Sequence, residues 1–239
     1  MMGEADHEPR SPEIIAATVS DAEDSLPVSG AWMLLYDDLL GGIIHSMNNT
    51  LTVLAVSLEL ASIDDERVDA ATLRRELTHL EELIALMATL SSKSAREEAL
   101  ELRAVLDIAL AIHALNPATR AVKCALEVAG VIPPVRVPRP ALMRALLLMI
   151  DGAKRVDGAA AAPVPIELSG DADRVIVRAR RSDVPSRDEA AFAAACGGKL
   201  TIQDGCAVFE LPSLQRLRAK NGGKNPPREG AMPTRASAS

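Results

Sequence analysis

One segment of the 239-residue sequence has residue types and a spacing suited to chemistry, and it begins at His45. A neutral imidazole is a good nucleophile towards phosphorus, and histidine is largely neutral near pH 7. In a helix, Asn49, Thr52 and Val56 share the face of His45 at positions i+4, i+7 and i+11. That face carries no charge and is partly apolar. Such a strip beside a reachable imidazole is typical of a docking surface for another protein.

Two predicted helices position this strip. Between about Gly30 and Ala61, apolar residues alternate at spacings of four and three, which is the a/d pattern of a packed helix. These seam residues are Leu40, Ile44, Met47, Leu51, Leu54, Leu58 and Ala61. After a polar turn at 64–66, a second helix is predicted over about 68–90, with its seam at Leu73, Leu77, Leu80, Ile84 and Met87. His45 directly follows a seam residue, so we expect it on the flank of the helix pair.

The helix pair also predicts a homodimer. An isolated hairpin leaves much of its apolar stripe in contact with water. Two hairpins that pack as a four-helix bundle cover the stripe, so we expect a second copy of this chain as one partner.

The second half of the sequence predicts an α/β sandwich, in which one sheet is covered on one face by helices. Helices are expected over about 98–115, 141–156 and 187–195, and strands over about 122–128, 165–168, 174–179, 199–203 and 207–211. Four prolines between 133 and 140 predict a loop before the middle helix. The fold class is therefore α+β, with a helical hairpin over 29–93 and an α/β domain over 97–214. We expect a disordered acidic leader over 1–28 and a flexible basic tail over 215–239.

Composition excludes several other classes. A net charge of -7 and only 2% aromatic residues argue against a nucleic-acid surface, which needs cations and stacking platforms. The three cysteines form no CxxC pair, and no histidine spacing completes a metal site. The uncharged run over 39–58 has the length of a membrane span, but the polar groups from His45 to Thr50 would be costly inside a bilayer. Without a signal-peptide pattern at the N-terminus, we expect a cytoplasmic protein that does not bind membranes.

The segment around His45 resembles the H-box of two-component histidine kinases, in which the phosphorylated histidine is followed by Asn-Asn and a Leu-Thr step. The matching residues here are His45, Asn48, Asn49, Leu51 and Thr52. The resemblance implies that His45 accepts a phosphoryl group. These kinases usually carry Asp or Glu directly after the histidine, where this chain has Ser46. Because a hydroxyl is a poorer base than a carboxylate, the segment keeps the nucleophile and loses the residue that assists attack on ATP.

The α/β domain resembles the ATP-binding domain of the same kinases, but the family's nucleotide-binding residues are missing. Gly152 stands where the N-box has its magnesium-binding Asn. The neighbouring Asp151 points about a hundred degrees away around the helix, so we expect it to face solvent rather than replace that ligand. Residues 180–185 stand where the family has its adenine-binding DxGxG loop, and they contain no glycine. Asp183 does not align with the aspartate of that loop, so it is a poor replacement for it. The Gly-rich lid is missing as well, and Gly197-Gly198 predicts only a turn, so the resemblance implies a domain that does not bind ATP.

A hairpin of this kind with a degenerate ATP domain is similar to the ChpT-like histidine phosphotransferases. The resemblance implies that His45 shuttles a phosphoryl group between aspartates of response-regulator receiver domains. Because the receivers bring their own magnesium, this chain needs no cofactor of its own. Asn49 and Ser46 join His45 as candidate catalytic residues, and Asn48, Thr52 and Val56 are candidate partner contacts. Besides receivers and a second copy, a hybrid histidine kinase is a candidate partner.

Two alternatives stay open. A pseudokinase could pair with a true kinase or sequester a receiver without chemistry, since Ser46 shows that the H-box has diverged. A receiver phosphatase could use Asn49, one turn after His45, to orient a water molecule. His7, His79 and His113 lie in no comparable motif, and we expect them to be structural or solvated.

Overall fold

The structure is a computed structural model that describes residues 30–63, 70–92, 94–157, 162–181 and 183–222. The predicted leader, the polar turn at 64–66 and residues 223–239 of the predicted tail lie outside the described residues. Within these ranges, a helical hairpin is followed by a mixed α/β domain. The α+β fold class is therefore confirmed.

The hairpin consists of α1 (Gly30–Ile63) and α2 (Ala70–Ser91). Inside one chain, α1 buries residues one position before the predicted seam: Leu39 and Ile43 are fully buried, whereas Ile44 is 46% exposed. The buried face is shifted because the first half of α1 packs against the α/β domain as well as against α2. Part of the predicted seam therefore forms a half-exposed apolar stripe at heptad spacing, which consists of Ile44, Leu51, Leu58, Leu77 and Ile84.

The α/β domain contains, within the described residues, a five-stranded sheet and a two-stranded sheet. Its elements are β1 (Glu97–Leu100), α3 (Leu102–Ala114), β2 (Cys124–Ala129), β3 (Val135–Pro138), α4 (Arg139–Asp157), β4 (Val164–Gly170), β5 (Arg174–Arg180), α5 (Arg187–Ala195), β6 (Lys199–Gln203), β7 (Cys206–Pro212) and α6 (Leu214–Gly222). The larger sheet has the order β2-β4-β5-β7-β6, with β2 and β4 parallel and the other neighbours antiparallel. Alternation along β5 turns Val175, Val177 and Ala179 into the core. The helix α4 packs against the sheet, and residues 141–143 and 145–150 of it are buried.

Three short elements correct the sequence prediction. The helix expected from about residue 98 begins only at Leu102, because β1 precedes it. The predicted proline loop contains β3, which pairs with β1 so that Glu97 lies opposite Pro138. The predicted tail begins with α6, whose first turn is capped where the Arg216 N–H donates to Ser213 Oγ at 3.1 Å. The two short strands depend on each other across a long stretch of chain, so local patterns do not reveal them.

The first half of α1 belongs to the core of the α/β domain. The backbone N–H of Trp32 donates to Asp188 Oδ2 at 3.0 Å. The Trp32 ring packs edge-on against Phe192, with the ring centroids 6.1 Å apart. The Arg144 guanidinium lies over both rings, 5.4 Å from the Trp32 centroid and 5.6 Å from the Phe192 centroid. The hairpin and the α/β domain thus share one continuous core.

The same packing bears on the apolar character of α1. By length and composition alone, residues Gly30–Leu60 could cross a membrane, with a mean hydropathy of 1.3. Core helices of soluble proteins pass the same test. Trp32, Leu35, Leu39 and Ile43 are buried inside the protein. The shared core therefore accounts for the apolar residues in the first half of α1.

Candidate functional site

His45 lies on the exposed side of α1, together with Asn49, Thr52 and Val56. We call these four residues the His45 strip. His45 Nε2 lies 3.2 Å from Asn49 Nδ2. In this arrangement the Asn49 amide N–H donates to the Nε2 lone pair of the neutral imidazole. The imidazole is therefore reachable from solvent and is oriented by its neighbour one turn along the helix.

The other candidate residues of this segment have different surroundings. Asn48 is exposed beside the strip, and its carbonyl accepts a hydrogen bond from Thr52 Oγ1 at 2.8 Å. Ser46 is half-buried, and helical geometry directs it about a hundred degrees away from His45. Its carbonyl accepts a hydrogen bond from Thr50 Oγ1 at 3.1 Å. Ser46 therefore lies towards the packed side of α1 rather than beside the imidazole on the strip.

Arg181 fills the space beside Gly152 in the α/β domain. Its side chain is 5% exposed and lies against Gly152 of α4. A Cβ added to Gly152 would overlap Nη1 of Arg181 and lie 2.8 Å from Nε. The guanidinium therefore occupies the space that an Asn side chain at position 152 would need. The sequence did not single out Arg181, because its importance arises from this contact across the fold.

Two carboxylates hold Arg181 in place. Arg181 donates to both oxygens of Asp183, with Nη2 2.8 Å from Oδ2, and Nη1 donates to Glu189 Oε1. Burial lowers the pKa of Arg181, but the two carboxylates outweigh it and raise that pKa above its ordinary value. Glu189 also caps α5 by accepting from the Ser186 N–H at 2.6 Å. Asp183, the candidate adenine-binding acid, is thus engaged by an arginine of its own loop.

Asp151 does not face solvent, and that expectation was wrong. Asp151 is only 8% exposed. It does point about a hundred degrees away from Gly152 around α4, but the helix α3 packs against that side. Arg155 Nε donates to Asp151 Oδ2 at 2.6 Å, and His113 Nε2 lies 3.4 Å from Oδ1. Burial raises the pKa of Asp151, but His113 and Arg155 outweigh it, so the pKa lies below its ordinary value.

A buried polar network continues from Asp151 to the turn after α3, residues 115–121. His113 is fully buried, which agrees with a structural role, one of the two expected for it. Its Nδ1 lies 3.3 Å from Thr119 Oγ1. Lys154 is 3% exposed, and its Nζ donates to the Thr119 carbonyl at 3.5 Å. Burial lowers the pKa of Lys154. These contacts connect α4 to the turn after α3.

The residues at this position do not fit a nucleotide-bound magnesium ion. Gly152 offers no donor atom, and the cationic guanidinium of Arg181 lies directly against it. Asp151 is the nearest carboxylate in sequence, and Arg155 already occupies its Oδ2. Among the described residues, no group of three His, Cys, Asp or Glu side chains could hold a metal ion.

No protein-family model matches this sequence, and no curated protein is significantly similar to it. Among solved structures, the Acinetobacter baumannii histidine kinase AdeS is similar at 16% identity and a TM-score of 0.38, covering 71% of this chain and 96% of that chain. The histidine kinase ThkA, in complex with the response regulator protein TrrA, has 10% identity and a TM-score of 0.42, covering 77% of this chain and 63% of that chain. A bacterial phosphotransferase has 15% identity and a TM-score of 0.38, covering 78% of this chain and 99% of that chain. Similarities this low say nothing by themselves about what the chain does.

Proposed function

We propose that this chain is a phosphorelay histidine phosphotransferase, which passes a phosphoryl group between receiver aspartates through His45 and does not bind ATP. The observation that carries the proposal is the exposed imidazole on an uncharged strip of α1. An imidazole in this position needs no nucleotide pocket if the partner delivers an activated phosphoryl group. Receiver domains do so, and they also supply the magnesium ion.

The transfer requires little from this chain. Nε2 of His45 attacks the phosphorus of the receiver's aspartyl phosphate, the N–P bond forms, the acyl P–O bond breaks, and aspartate leaves as a carboxylate. The proton on Nδ1 is then free to leave to water. A carboxylate of the second receiver takes the phosphoryl group by the reverse step. Asn49 must release Nε2 before attack, so its amide orients the ring in the resting state.

Three features support a function without ATP. Gly152 provides no metal ligand, Arg181 fills the space beside it, and Asp183 is bound by that arginine. A nucleotide would have to displace a guanidinium that two carboxylates hold in a buried position. Breaking such a buried pair costs about 3–5 kcal/mol.

We further propose that the protein acts in the cytoplasm as a homodimer. The half-exposed stripe of Ile44, Leu51, Leu58, Leu77 and Ile84 supports the dimer. These residues lie at heptad spacing on both helices of the hairpin, as the seam of a four-helix bundle requires. Burying the stripe removes apolar side chains from water at a gain of about 25 cal/mol per Å².

A second candidate function is a receiver phosphatase. It is favoured by the Asn49 amide, which lies 3.2 Å from His45 and is itself exposed. In that case the amide would orient a water molecule towards the receiver's phosphorus, and His45 would remain unphosphorylated. A scaffold that only binds receivers would use the same strip without either reaction.

The test is phosphotransfer profiling of the full chain against ³²P-labelled receiver domains from the same genome. We expect label on the wild-type protein and none on His45→Ala. His79→Ala is the matched control, because His79 is a half-exposed helical histidine on α2. It should accept label like the wild type.

Each alternative gives a different result. Loss of receiver label that survives His45→Ala but fails in Asn49→Ala would identify a phosphatase. Tight binding of a receiver without any label on this chain would identify a scaffold. Micromolar binding of Mg-ATP in calorimetry would contradict the proposal for the α/β domain.

A further inference from the structure

A cavity of about 950 Å³ lies between the two-stranded sheet, the end of α5 and the helix α6. Its walls come from β1, from β3, from the turn between α5 and β6, from β7 and from α6. Among the described residues that line it, none belongs to the His45 strip, and neither Gly152 nor Arg181 is one of them. Cavities of this size are typical of small-molecule sites. The phosphotransfer proposed above makes no use of this one.

Cations outnumber carboxylates around the cavity, although the whole chain has a net charge of -7. The three lining carboxylates are each paired with an arginine within 4 Å, as Glu97–Arg136, Glu98–Arg139 and Glu210–Arg174. The five lining cations are Arg136, Lys199, Arg216, Arg218 and Lys220. Within the part of the chain that the structure describes, Arg136 alone among these five forms an ion pair. Four cations thus line the cavity without a carboxylate partner.

These four cations come from two elements that meet at the cavity. Lys199 begins β6, and the other three lie on α6. Like charges that line one space repel each other, and an anion between them would replace that repulsion by attraction. Arginine binds phosphate through two parallel N–H···O bonds, and lysine binds it as a compact charge. The charge of the cavity therefore favours a phosphorylated ligand.

The remaining lining groups narrow down the class of ligand. The carbonyls at the end of α5 would repel an anion, but those of Ala193 and Ala194 already accept the N–H groups of Gly198 and Gly197, at 3.0 Å and 2.8 Å. None of the described lining residues is aromatic, so no ring is available to stack on a nucleobase. One phosphate group carries a charge of about -1.5 to -2 near pH 7. Four unpaired cations therefore match two or more phosphate groups.

We propose that this cavity binds a small molecule that carries at least two phosphate groups and no nucleobase. Lys199 holds the ligand from β6, and Arg216, Arg218 and Lys220 hold it from α6. The ligand bridges these two elements and so binds the folded chain only, which raises the Tm. The proposal is independent of the phosphotransfer function, because the two use different residues.

Inorganic pyrophosphate is the probe, and it is titrated into the full chain by calorimetry at constant ionic strength. We expect one pyrophosphate per chain with a Kd of about 10–100 µM, which is within reach of so small a ligand. Orthophosphate should bind about tenfold more weakly, because it brings only one phosphate group to the four cations. Pyrophosphate should also raise the Tm more than orthophosphate does.

Two substitutions test the cavity without disturbing the fold, because both side chains are exposed. Arg216→Gln and Arg218→Gln each remove one guanidinium and should each weaken pyrophosphate binding about tenfold, the lower end for a hydrogen bond between charged groups. Arg103→Gln is the matched control, since it removes an exposed arginine of α3 that does not line the cavity. It changes the net charge equally and should bind pyrophosphate like the wild type. Without ligand, all three variants should keep the wild-type Tm.

Several results would overturn the proposal. The cavity is not a phosphate site if pyrophosphate gives no saturable heat up to millimolar concentrations. An equal loss of binding in Arg103→Gln would show general attraction to the protein surface. Orthophosphate that binds as tightly as pyrophosphate would contradict the need for two phosphate groups. Mg-ATP that binds more tightly than pyrophosphate, and is weakened by the same two substitutions, would show that the ligand carries a base. None of these results affects whether a receiver labels His45.

Discussion

Replacing Gly152 by Ala should destabilise the protein, although Ala is normally the better helix residue. The new Cβ would overlap Nη1 of Arg181, so the guanidinium must move away from it. The end of an arginine usually moves easily, but this one is bound by Asp183 and Glu189, and the Glu189 side chain is 2% exposed. Its displacement leaves a buried carboxylate without its cation.

The size of the effect follows from two opposing contributions. Breaking a buried ion pair costs about 3–5 kcal/mol. Ala in place of Gly inside a helix returns about 1 kcal/mol. We therefore expect a net loss of roughly 2–4 kcal/mol in the free energy of unfolding. For a chain of this size, that corresponds to a fall in Tm of roughly 5–15 °C.

Urea unfolding of the full chain, followed by circular dichroism, measures this loss, and Gly41→Ala is the matched control. Gly41 also lies inside a helix, but a Cβ there meets nothing within 4 Å. This control should gain up to about 1 kcal/mol. The reasoning is refuted if Gly152→Ala is as stable as Gly41→Ala.

A double-mutant cycle with Arg181→Ala isolates the contact itself. In the Arg181→Ala background the space beside Gly152 is empty, so Gly152→Ala should no longer destabilise. We expect a coupling energy of about 2–4 kcal/mol, in the range found for residues in direct contact. An unchanged penalty for Gly152→Ala in this background would show that Arg181 is not its cause.

Three further predictions concern stability and assembly. Asp188→Ala removes the buried acceptor of the Trp32 N–H and should cost about 1–3 kcal/mol in urea unfolding, whereas an unchanged midpoint would mean that this contact is dispensable. Because the pKa of Asp151 is lowered in the folded protein, its ion pair stabilises above the ordinary carboxyl pKa and is lost as the pH falls through the folded value. The deficit of Asp151→Asn in unfolding free energy should therefore be full at pH 6 and shrink towards pH 3, and a constant deficit would contradict this. Leu51→Asp places a charge in the half-exposed stripe and should convert the proposed dimer to a monomer in light scattering, which an unchanged mass would refute.

Much of the fold was predictable because it follows from local periodicity. The predicted ranges 187–195 and 199–203 coincide with α5 and β6. By contrast, β1 and β3 have four residues each and pair with each other from distant parts of the chain. Such short strands form only when a partner is brought beside them, so the pattern of apolar residues alone could not predict them.

The sequence by itself determined that His45 lies on an uncharged helical strip, since side-chain direction along a helix follows from spacing. It also determined that position 152 is a glycine and that residues 180–185 contain no glycine. Only the tertiary structure decided that Arg181 fills the space beside Gly152, that Asp151 turns to His113, and that the turn after α3 touches Gly42. Each of these contacts joins residues far apart in the chain. Which distant elements meet depends on how their side chains pack together, and a one-dimensional pattern does not contain that information.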